Sequence, residues 1–86
     1  MNQARTYRDL TAHELRCFNA TDEPRTANEV VEVLPKGRSL TDVYRAMTIL
    51  MARNLVVRYR VTSEGKARNY YEMTALGESL MGEVGA

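Results

Sequence analysis

The sequence of 86 residues has too few cysteines and histidines for a fold that depends on disulfides or on bound zinc. It contains one of each, Cys17 and His13. A single cysteine excludes an intramolecular disulfide framework. One Cys and one His also do not supply the soft ligands of a structural zinc site. A chain of this length must therefore obtain its stability from one small hydrophobic core.

The sequence also lacks repeats, low-complexity tracts and any apolar run long enough to span a bilayer. Its N-terminus has no apolar region of the kind that directs export, so we expect a cytoplasmic location. Hydrophobic residues make up 44% and charged residues 27% of the chain, which are the proportions of a globular protein. We expect one domain over residues 1–86, with residues 1–9 as a flexible N-terminal arm.

The net charge of +1 hides a strong asymmetry along the chain. Residues 36–70 contain eight lysines and arginines but two acids, whereas residues 1–35 and 71–86 both carry net negative charge. A basic segment centred on one helix is the electrostatic pattern expected of a nucleic-acid-binding protein. An ordinary solvated surface would give the same counts, so charge alone does not decide between the two.

Three helix starts share one pattern, in which a hydroxyl residue is followed three positions later by an acid. In such a capping box the hydroxyl accepts a backbone N–H and the acid accepts the N–H of the capping residue. The boxes are Thr11–Glu14, Thr26–Glu29 and Ser39–Asp42, and the third is the weaker because Asp is shorter than Glu. The helices predicted from them are Ala12–Asn19, Ala27–Leu34 and a longer one that begins at Leu40.

The first helix is expected to bury Leu15 and Phe18, and the second to bury Val30, Val33 and Leu34. The connection between them, over residues 21–25, is predicted to be a loop in which Pro24 allows a short edge strand. Pro35 ends the second helix, and Lys36-Gly37-Arg38 forms a tight turn into the third. Two short helices joined by a brief Gly-containing turn form a helix-turn-helix pattern.

The third helix has an apolar stripe and a polar face. Apolar residues spaced by three, four and three positions must face the core, and they are Leu40, Val43, Met47 and Leu50. The residues that fall away from this stripe are Thr41, Asp42, Arg45, Thr48 and Ala52, with Tyr44 at the border. Asn54 stands where the helix must end in a left-handed residue, a conformation that Asn tolerates.

After the third helix, residues 57–61 alternate between apolar and basic side chains, as in a β-strand. Arg58 and Arg60 share one face of that strand, which points either to DNA or to water. Ser63-Glu64-Gly65-Lys66 has the composition of a hairpin loop, with Gly65 available for positive φ. Residues 68–73 are predicted to be the returning strand. Thr74 is predicted to cap a last helix whose apolar residues are Leu76, Leu80, Met81 and Val84.

Residues 39–56, SLTDVYRAMTILMARNLV, resemble the recognition-helix signature of ferric-uptake-regulator-type DNA-binding domains, with Asn54 where that family usually has Gly. The hairpin and the following YYEMTALGESL, residues 70–80, look more like PadR-type and MarR-type regulators. The resemblance covers about residues 10–84. It implies a mainly α fold with a small β-hairpin, a winged helix-turn-helix with a three-helix core, a wing and a C-terminal helix. It does not cover a metal-binding domain, so neither a metal nor another cofactor is implied.

The resemblance implies that Val43, Tyr44 and Arg45 lie in the major groove of double-stranded DNA. Arg45 can donate two parallel hydrogen bonds to guanine, and Tyr44 can contact a thymine methyl or a phosphate. The alternative is that Tyr44 completes the core and Arg45 is a solvated charge. Thr41 and Thr48 are candidates for phosphates or thymine methyls. Asp42 is expected to be a capping residue, with cytosine recognition as its alternative.

Four basic residues flank the third helix, Lys36 and Arg38 before it and Lys66 and Arg68 in the wing. We expect them to contact phosphates or an adjacent minor groove, the alternative being solvated loop charges. The predicted DNA-binding residues are Lys36, Arg38, Ser39, Thr41, Tyr44, Arg45, Thr48, Lys66 and Arg68.

The last helix has two candidate roles. Its apolar residues either pack on the first helix or form a dimer seam, and the dimerisation residues in the second case are Leu76, Leu80, Met81 and Val84. His13 is expected to be an exposed helix residue and Cys17 to pack as a small apolar residue. No nucleophile, base and metal can be combined into a catalytic site.

These observations predict a DNA-binding transcription regulator, a repressor that acts by occupying its promoter and that can form a homodimer. The alternative functions are a winged-helix protein-interaction module, or an accessory factor in replication, partition or recombination.

Overall fold

The computed structural model describes the backbone of residues 10–85 and the side chains of residues 10–82. The arm expected over residues 1–9 lies outside the described residues. The predicted order of helix, helix, helix, hairpin and helix is confirmed. The elements are α1 (Ala12–Asn19), α2 (Ala27–Val33), α3 (Leu40–Ala52), β1 (Val56–Ser63), β2 (Lys66–Met73) and α4 (Ala75–Gly85). Among the helices that the structure describes, none is long and apolar enough to cross a membrane.

All three predicted capping boxes form. In the first, the Glu14 N–H donates to Thr11 Oγ1 over 3.1 Å, and the Thr11 N–H donates to the Glu14 carboxylate over 2.9 Å. In the third, the bond from the Ser39 N–H to the Asp42 carboxylate is 3.1 Å long, as the shorter side chain predicts. That backbone hydrogen bond is the main reason that the pKa of Asp42 lies below its usual value.

The connection between α1 and α2 is more ordered than the predicted loop. A 3-10 helix forms over Ala20–Asp22, and within it Thr21 is fully buried. The Thr21 hydroxyl donates to the Phe18 carbonyl over 2.6 Å, so its burial leaves no unpaired donor. The edge strand is reduced to one antiparallel bridge, in which Arg25 and Tyr71 of β2 exchange backbone hydrogen bonds of 2.7 and 3.0 Å.

α2 buries a different set of residues from the one predicted. Val33 was predicted to be buried, but 55% of its surface is exposed, so this prediction is wrong. The residues that α2 and its C-cap bury are Ala27, Val30 and Leu34, spaced by three and four positions. At about 100° per residue, Val33 lies roughly a quarter turn away from that line. The hydrophobic character of Val33 alone could not reveal this direction.

The core is built around α3, whose predicted apolar stripe is confirmed. Val43, Met47 and Leu50 are fully buried, and Leu40 packs at the edge of the same cluster. Burial of one such side chain contributes about 1.5–3 kcal/mol to stability. Ala46 of α3 is also buried. The other buried apolar residues come from the parts of the chain around α3, and they are Cys17, Phe18, Ala20, Ala27, Val30, Leu34, Leu55, Val56, Tyr71, Met73 and Leu80.

A compact junction joins the end of α3, the root of the hairpin and the start of α4. Asn54 has φ of 60°, as predicted. The Thr74 N–H donates to the Leu55 carbonyl over 3.0 Å, and the Thr74 hydroxyl donates to the Asn54 carbonyl over 2.6 Å. The same hydroxyl oxygen accepts the Gly77 N–H over 3.0 Å, so Thr74 caps α4 as predicted. A Cβ at Gly77 would lie 2.5 Å from the Leu55 carbonyl oxygen and 2.7 Å from Met73.

The hairpin is an antiparallel pair whose register ends at Ser63 opposite Lys66. β2 therefore begins two residues before the predicted start of the returning strand. The two loop residues, Glu64 and Gly65, have φ of 53° and 77°. Positive φ at Gly65 was predicted, whereas positive φ at Glu64 was not. A two-residue loop of this kind requires positive φ at both positions, so the short loop imposes this conformation on Glu64.

His13 and Cys17 lie where α1 packs against α3. His13 was predicted to be exposed, which is wrong, because its ring is half-buried and Nε2 donates to the Asp42 carbonyl over 3.1 Å. Cys17 is fully buried, as predicted for a small apolar residue, with Sγ 3.8 Å from His13 Nε2. Burial raises the pKa of the Cys17 thiol to about 11. No group of three His, Cys, Asp or Glu side chains within the described residues could hold a metal ion.

Gly77→Ala should destabilise the protein, because the new methyl group would clash with backbone and core atoms of the junction. We expect a loss of about 1–3 kcal/mol, as for other overpacked sites. The matched control is Gly82→Ala in the same helix, where nothing lies within 4 Å of the added Cβ. That change should stabilise the protein by up to about 1 kcal/mol through helix propensity. Chemical denaturation of both variants tests the contrast, and equal unfolding midpoints would contradict it.

Cys17 should be unreactive towards a disulfide reagent such as DTNB at pH 8 while the protein is folded, and should react fully after denaturation. The free energy of unfolding should also fall as the pH rises above about 9. The unfolded thiol ionises near 9.0, whereas the buried thiol resists ionisation up to about 11. Thiol assays and pH-dependent denaturation measure the two effects. Reaction of the folded protein at the rate of the unfolded chain, or the same alkaline loss in Cys17→Ala, would contradict the prediction.

Candidate nucleic-acid interface

The side of α3 that faces away from the core presents a continuous exposed strip. Thr41, Tyr44, Arg45 and Thr48 are all exposed. At about 100° per residue they fall within an arc of roughly 100° on the helix surface. Tyr44, which stood at the border of the predicted stripe, is 49% exposed and does not complete the core. The structure therefore brings together four of the predicted site residues on one helix face.

Hydrogen bonds within α3 limit what its hydroxyl groups can do. The Thr48 hydroxyl donates to the Tyr44 carbonyl over 2.9 Å, so its proton is already used and its methyl group and oxygen lone pairs remain. The Ser39 hydroxyl oxygen accepts the Asp42 N–H over 3.2 Å, which leaves its own proton free to donate. The Asp42 carboxylate accepts the Ser39 N–H, so the predicted capping role of Asp42 is confirmed.

The turn before α3 places two cations at the start of the exposed strip. Lys36 and Arg38 are exposed on either side of Gly37, whose φ of 100° suits glycine and few other residues. Neither side chain is buried against the core. The turn thus supplies positive charge next to the N-terminal end of α3.

The hairpin places two more cations near its loop. Lys66 and Arg68 are exposed and lie two residues apart, so they share one face of β2. Their partners across the ladder are Ser63 and Val61. A depression of about 280 Å³ lies along this face, with Glu64 on its rim.

A larger cleft of about 630 Å³ lies between α2, α3 and the hairpin. Tyr44 of α3 forms part of its wall, together with Arg58 and Arg68 of the hairpin and with Glu29 and Glu32 of α2. Two predicted site residues, Tyr44 and Arg68, therefore meet at one cleft, and Arg58 joins them. The sequence predicted the strand face that carries Arg58. Only the tertiary structure shows what that face looks onto.

The charges that line this cleft do not neutralise one another by direct contact. Within the described part of the chain, neither Arg58 nor Arg68 has a carboxylate oxygen within 4 Å. The Glu29 carboxylate accepts the N–H of Thr26, and this backbone hydrogen bond is the main cause of its lowered pKa. The charge of Arg68 contributes to the same lowering. The two guanidinium groups are thus available for an external anion.

The face of the hairpin that carries Lys66 and Arg68 also has an exposed apolar part, because Val61 of β1 lies opposite Arg68 in the ladder. Val57, Tyr59 and Val61 alternate along β1 and are 45%, 37% and 41% exposed. The Tyr59 ring stacks on Tyr70 of β2, with ring centroids 6.1 Å apart. We call this surface the outer hairpin face.

The apolar residues of α4 pack within their own domain. Leu80 is 1% exposed, and Leu76 and Met81 are half-buried against the same core. The side chain of Val84 lies outside the described residues. One of the two roles predicted for this helix was packing on the first helix, and Gly77 does approach that helix, since a Cβ there would lie 3.0 Å from the Phe18 ring. The dimer seam stays a prediction, for which Leu76 and Met81 retain some exposed surface.

Comparison with protein-family models gives no match, and neither does comparison with curated proteins. Comparison with solved structures gives several. The chain is similar to a PadR family transcription regulator from hypervirulent Clostridium difficile, with 17% sequence identity and a TM-score of 0.74, over 87% of this chain and 84% of that one. It is similar to the transcriptional regulator YodB from B. subtilis in its reduced form, with 18% identity and a TM-score of 0.76, over 95% and 78%.

A third solved structure, a MarR family regulator from Porphyromonas gingivalis, gives 17% identity and a TM-score of 0.72, over 95% of this chain and 78% of that one. At such identities the likeness shows the fold. The predicted resemblance of the hairpin and last helix to PadR-type and MarR-type proteins is confirmed at that level. The resemblance of α3 to ferric-uptake regulators stays a prediction. The chain therefore has the winged helix-turn-helix fold of these structural neighbours.

Proposed function

We propose that this protein is a cytoplasmic transcription regulator that binds double-stranded DNA in a sequence-specific manner and represses by occupying its promoter. The observation that carries the proposal is the exposed strip of α3, flanked by a basic turn and a basic hairpin. The fold adds support, since its structural neighbours are described as transcription regulators.

In the proposed complex the exposed strip of α3 enters the major groove, which is wide enough to admit an α-helix. Arg45 donates two hydrogen bonds to O6 and N7 of a guanine. Tyr44 places its ring against a thymine methyl or its hydroxyl on a phosphate. Thr48 presents its methyl group, because its hydroxyl proton is already bonded to the Tyr44 carbonyl. These three side chains are the proposed source of sequence preference.

The remaining predicted residues are proposed to contact the sugar–phosphate backbone, which positions the protein without reading the sequence. Ser39 can donate its free hydroxyl proton to a phosphate at the start of α3. The other proposed backbone contacts are Lys36, Arg38, Thr41, Lys66 and Arg68.

A homodimer would improve both affinity and specificity, because one small module buries only about 600–1,000 Å² on DNA. The two recognition helices of such a dimer contact half-sites about 34 Å apart. In α4, Leu76 and Met81 have exposed surface that a second copy of the chain could contact. Leu80 is buried in the core and is not accessible to a partner. We propose that a dimer interface on α4 uses the exposed side of the helix and its C-terminal end, which includes Val84.

The second candidate function is a protein-interaction module, and the exposed apolar outer hairpin face favours it. The third is an accessory factor in replication, partition or recombination that binds DNA without sequence preference. Arg45→Glu separates the interaction module from the DNA binders. It should abolish binding to DNA, because the new charge repels phosphates, and it should leave a complex made through the hairpin intact.

The deciding experiment is binding of the purified protein to a random pool of double-stranded DNA at two salt concentrations, followed by sequencing of the retained DNA. An enriched motif supports the regulator, and an inverted repeat within it supports the dimer. Binding that is lost steeply with salt and enriches no motif supports the accessory factor. Absence of binding at both salt concentrations would contradict every DNA-binding proposal. Reporter expression from a promoter that carries the enriched motif then tests repression.

Arg45→Ala and Lys66→Ala should weaken DNA binding in different ways. Loss of the guanine contact of Arg45 should cost about 1–3 kcal/mol on the preferred site and relax the preference at one base position. Loss of the phosphate contact of Lys66 should weaken binding to all sequences alike and reduce the salt slope by about one. Titrations with preferred and scrambled duplexes, with Arg16→Ala as an exposed arginine outside the proposed interface, measure both effects. An unchanged motif in Arg45→Ala would contradict its assignment.

A further inference from the structure

Arg58 occupies the most firmly held part of the hairpin. It lies opposite Tyr71 in the ladder, and the Tyr71 side chain is buried. On its other edge Tyr71 is joined by two backbone hydrogen bonds to Arg25. Lys66, in contrast, directly follows the exposed two-residue loop. Arg58 is therefore the cation of the hairpin whose backbone is fixed most directly to the core.

The cleft beside Arg58 has walls of opposite charge. Tyr44, Arg58 and Arg68 line one part of it, and Glu29 and Glu32 of α2 line another. Arg58 and Arg68 have no carboxylate oxygen within 4 Å in the described part of the chain. A polyanion in the cleft would be drawn to the arginines and repelled by the glutamates. This distribution of charge favours a polyanionic strand of nucleic acid on the side of the cleft that carries the arginines. It disfavours a position of that strand closer to α2.

The cleft also opens beside the strip of α3 that faces the proposed DNA, because Tyr44 belongs to both surfaces. A guanidinium group binds a phosphate through two parallel N–H donors and is favoured at such contacts. Asn69 adds a side-chain amide to the same wall.

We propose that the cleft receives a backbone phosphate of the DNA strand beside the groove that α3 enters, with Arg58 as its ligand. The carboxylates of Glu29 and Glu32 form a repelling wall on the far side. This contact rests on the proposed function and deepens it. It connects the root of the hairpin to the DNA backbone next to Tyr44, so it fixes how far α3 can rotate in the groove. Arg58 is in this sense a positioning residue that adds no base preference.

The test compares Arg58→Gln, Arg58→Lys, Glu32→Gln and Arg16→Gln for binding to one duplex that the wild-type protein retains, over a range of salt concentrations. Arg16 is an exposed arginine of α1 that lines a different depression from the one beside Arg58. Arg58→Gln should reduce the slope of log K against log[salt] by about 0.9, the value for one phosphate contact. Arg58→Lys should retain the slope, because a lysine keeps the charge. Glu32→Gln should bind more tightly, most of all at low salt, and Arg16→Gln should behave as wild type.

Selection of DNA with Arg58→Gln should return the wild-type motif, which distinguishes a phosphate contact from a base contact. An unchanged slope in Arg58→Gln, an equal loss in Arg16→Gln, or unchanged or weaker binding by Glu32→Gln would each overturn the cleft contact while the proposed function stands. Failure of the wild-type protein to bind any duplex would overturn the proposed function itself. Thermal melting checks the folding of each variant. If Arg58→Gln is unfolded, Glu32→Gln, which changes an exposed residue, still decides the outcome.

Discussion

The relative placement of α3 and the hairpin depends on the hydrogen bonds of a single threonine. Thr74 lies between β2 and α4, and it donates hydrogen bonds to the carbonyls of Asn54 and Leu55, which connect α3 to β1. Its oxygen also holds the first turn of α4 through Gly77. Three elements are therefore oriented at one point, where no side chain larger than hydrogen fits at Gly77. This junction therefore helps to determine how the exposed strip of α3 and the cleft lie relative to each other.

The features that the sequence predicts well are those with local causes. A capping box requires two residues three positions apart, and all three boxes form as predicted. The left-handed conformation of Asn54 and the turn at Gly65 follow from backbone sterics at single residues. The apolar stripe of α3 follows from helix periodicity, and the stripe in turn fixes which side chains of this helix face outward.

The features that the sequence does not predict depend on contacts between distant elements. Val33 is as hydrophobic as Val30, but α2 turns it away from the core. His13 is half-buried because a carbonyl of α3, 29 positions further along the chain, accepts its ring N–H. Arg58 lines a cleft because its strand face lies beside α2 and α3, and the local sequence does not show that placement. In each case the tertiary contacts of the residue cannot be read from the residues adjacent to it in the sequence.

The hairpin extends well beyond the part that the core secures. Its buried residues, Val56, Tyr71 and Met73, all lie at the root, whereas residues 57–69 are exposed on both strands. The outer half is thus held by cross-strand pairs alone, and it can open locally while the rest of the domain stays folded. Substitutions in this outer half of the hairpin change the protein surface without altering the packing of the hydrophobic core. The surface residues of the outer half of the hairpin can therefore vary while the scaffold is preserved.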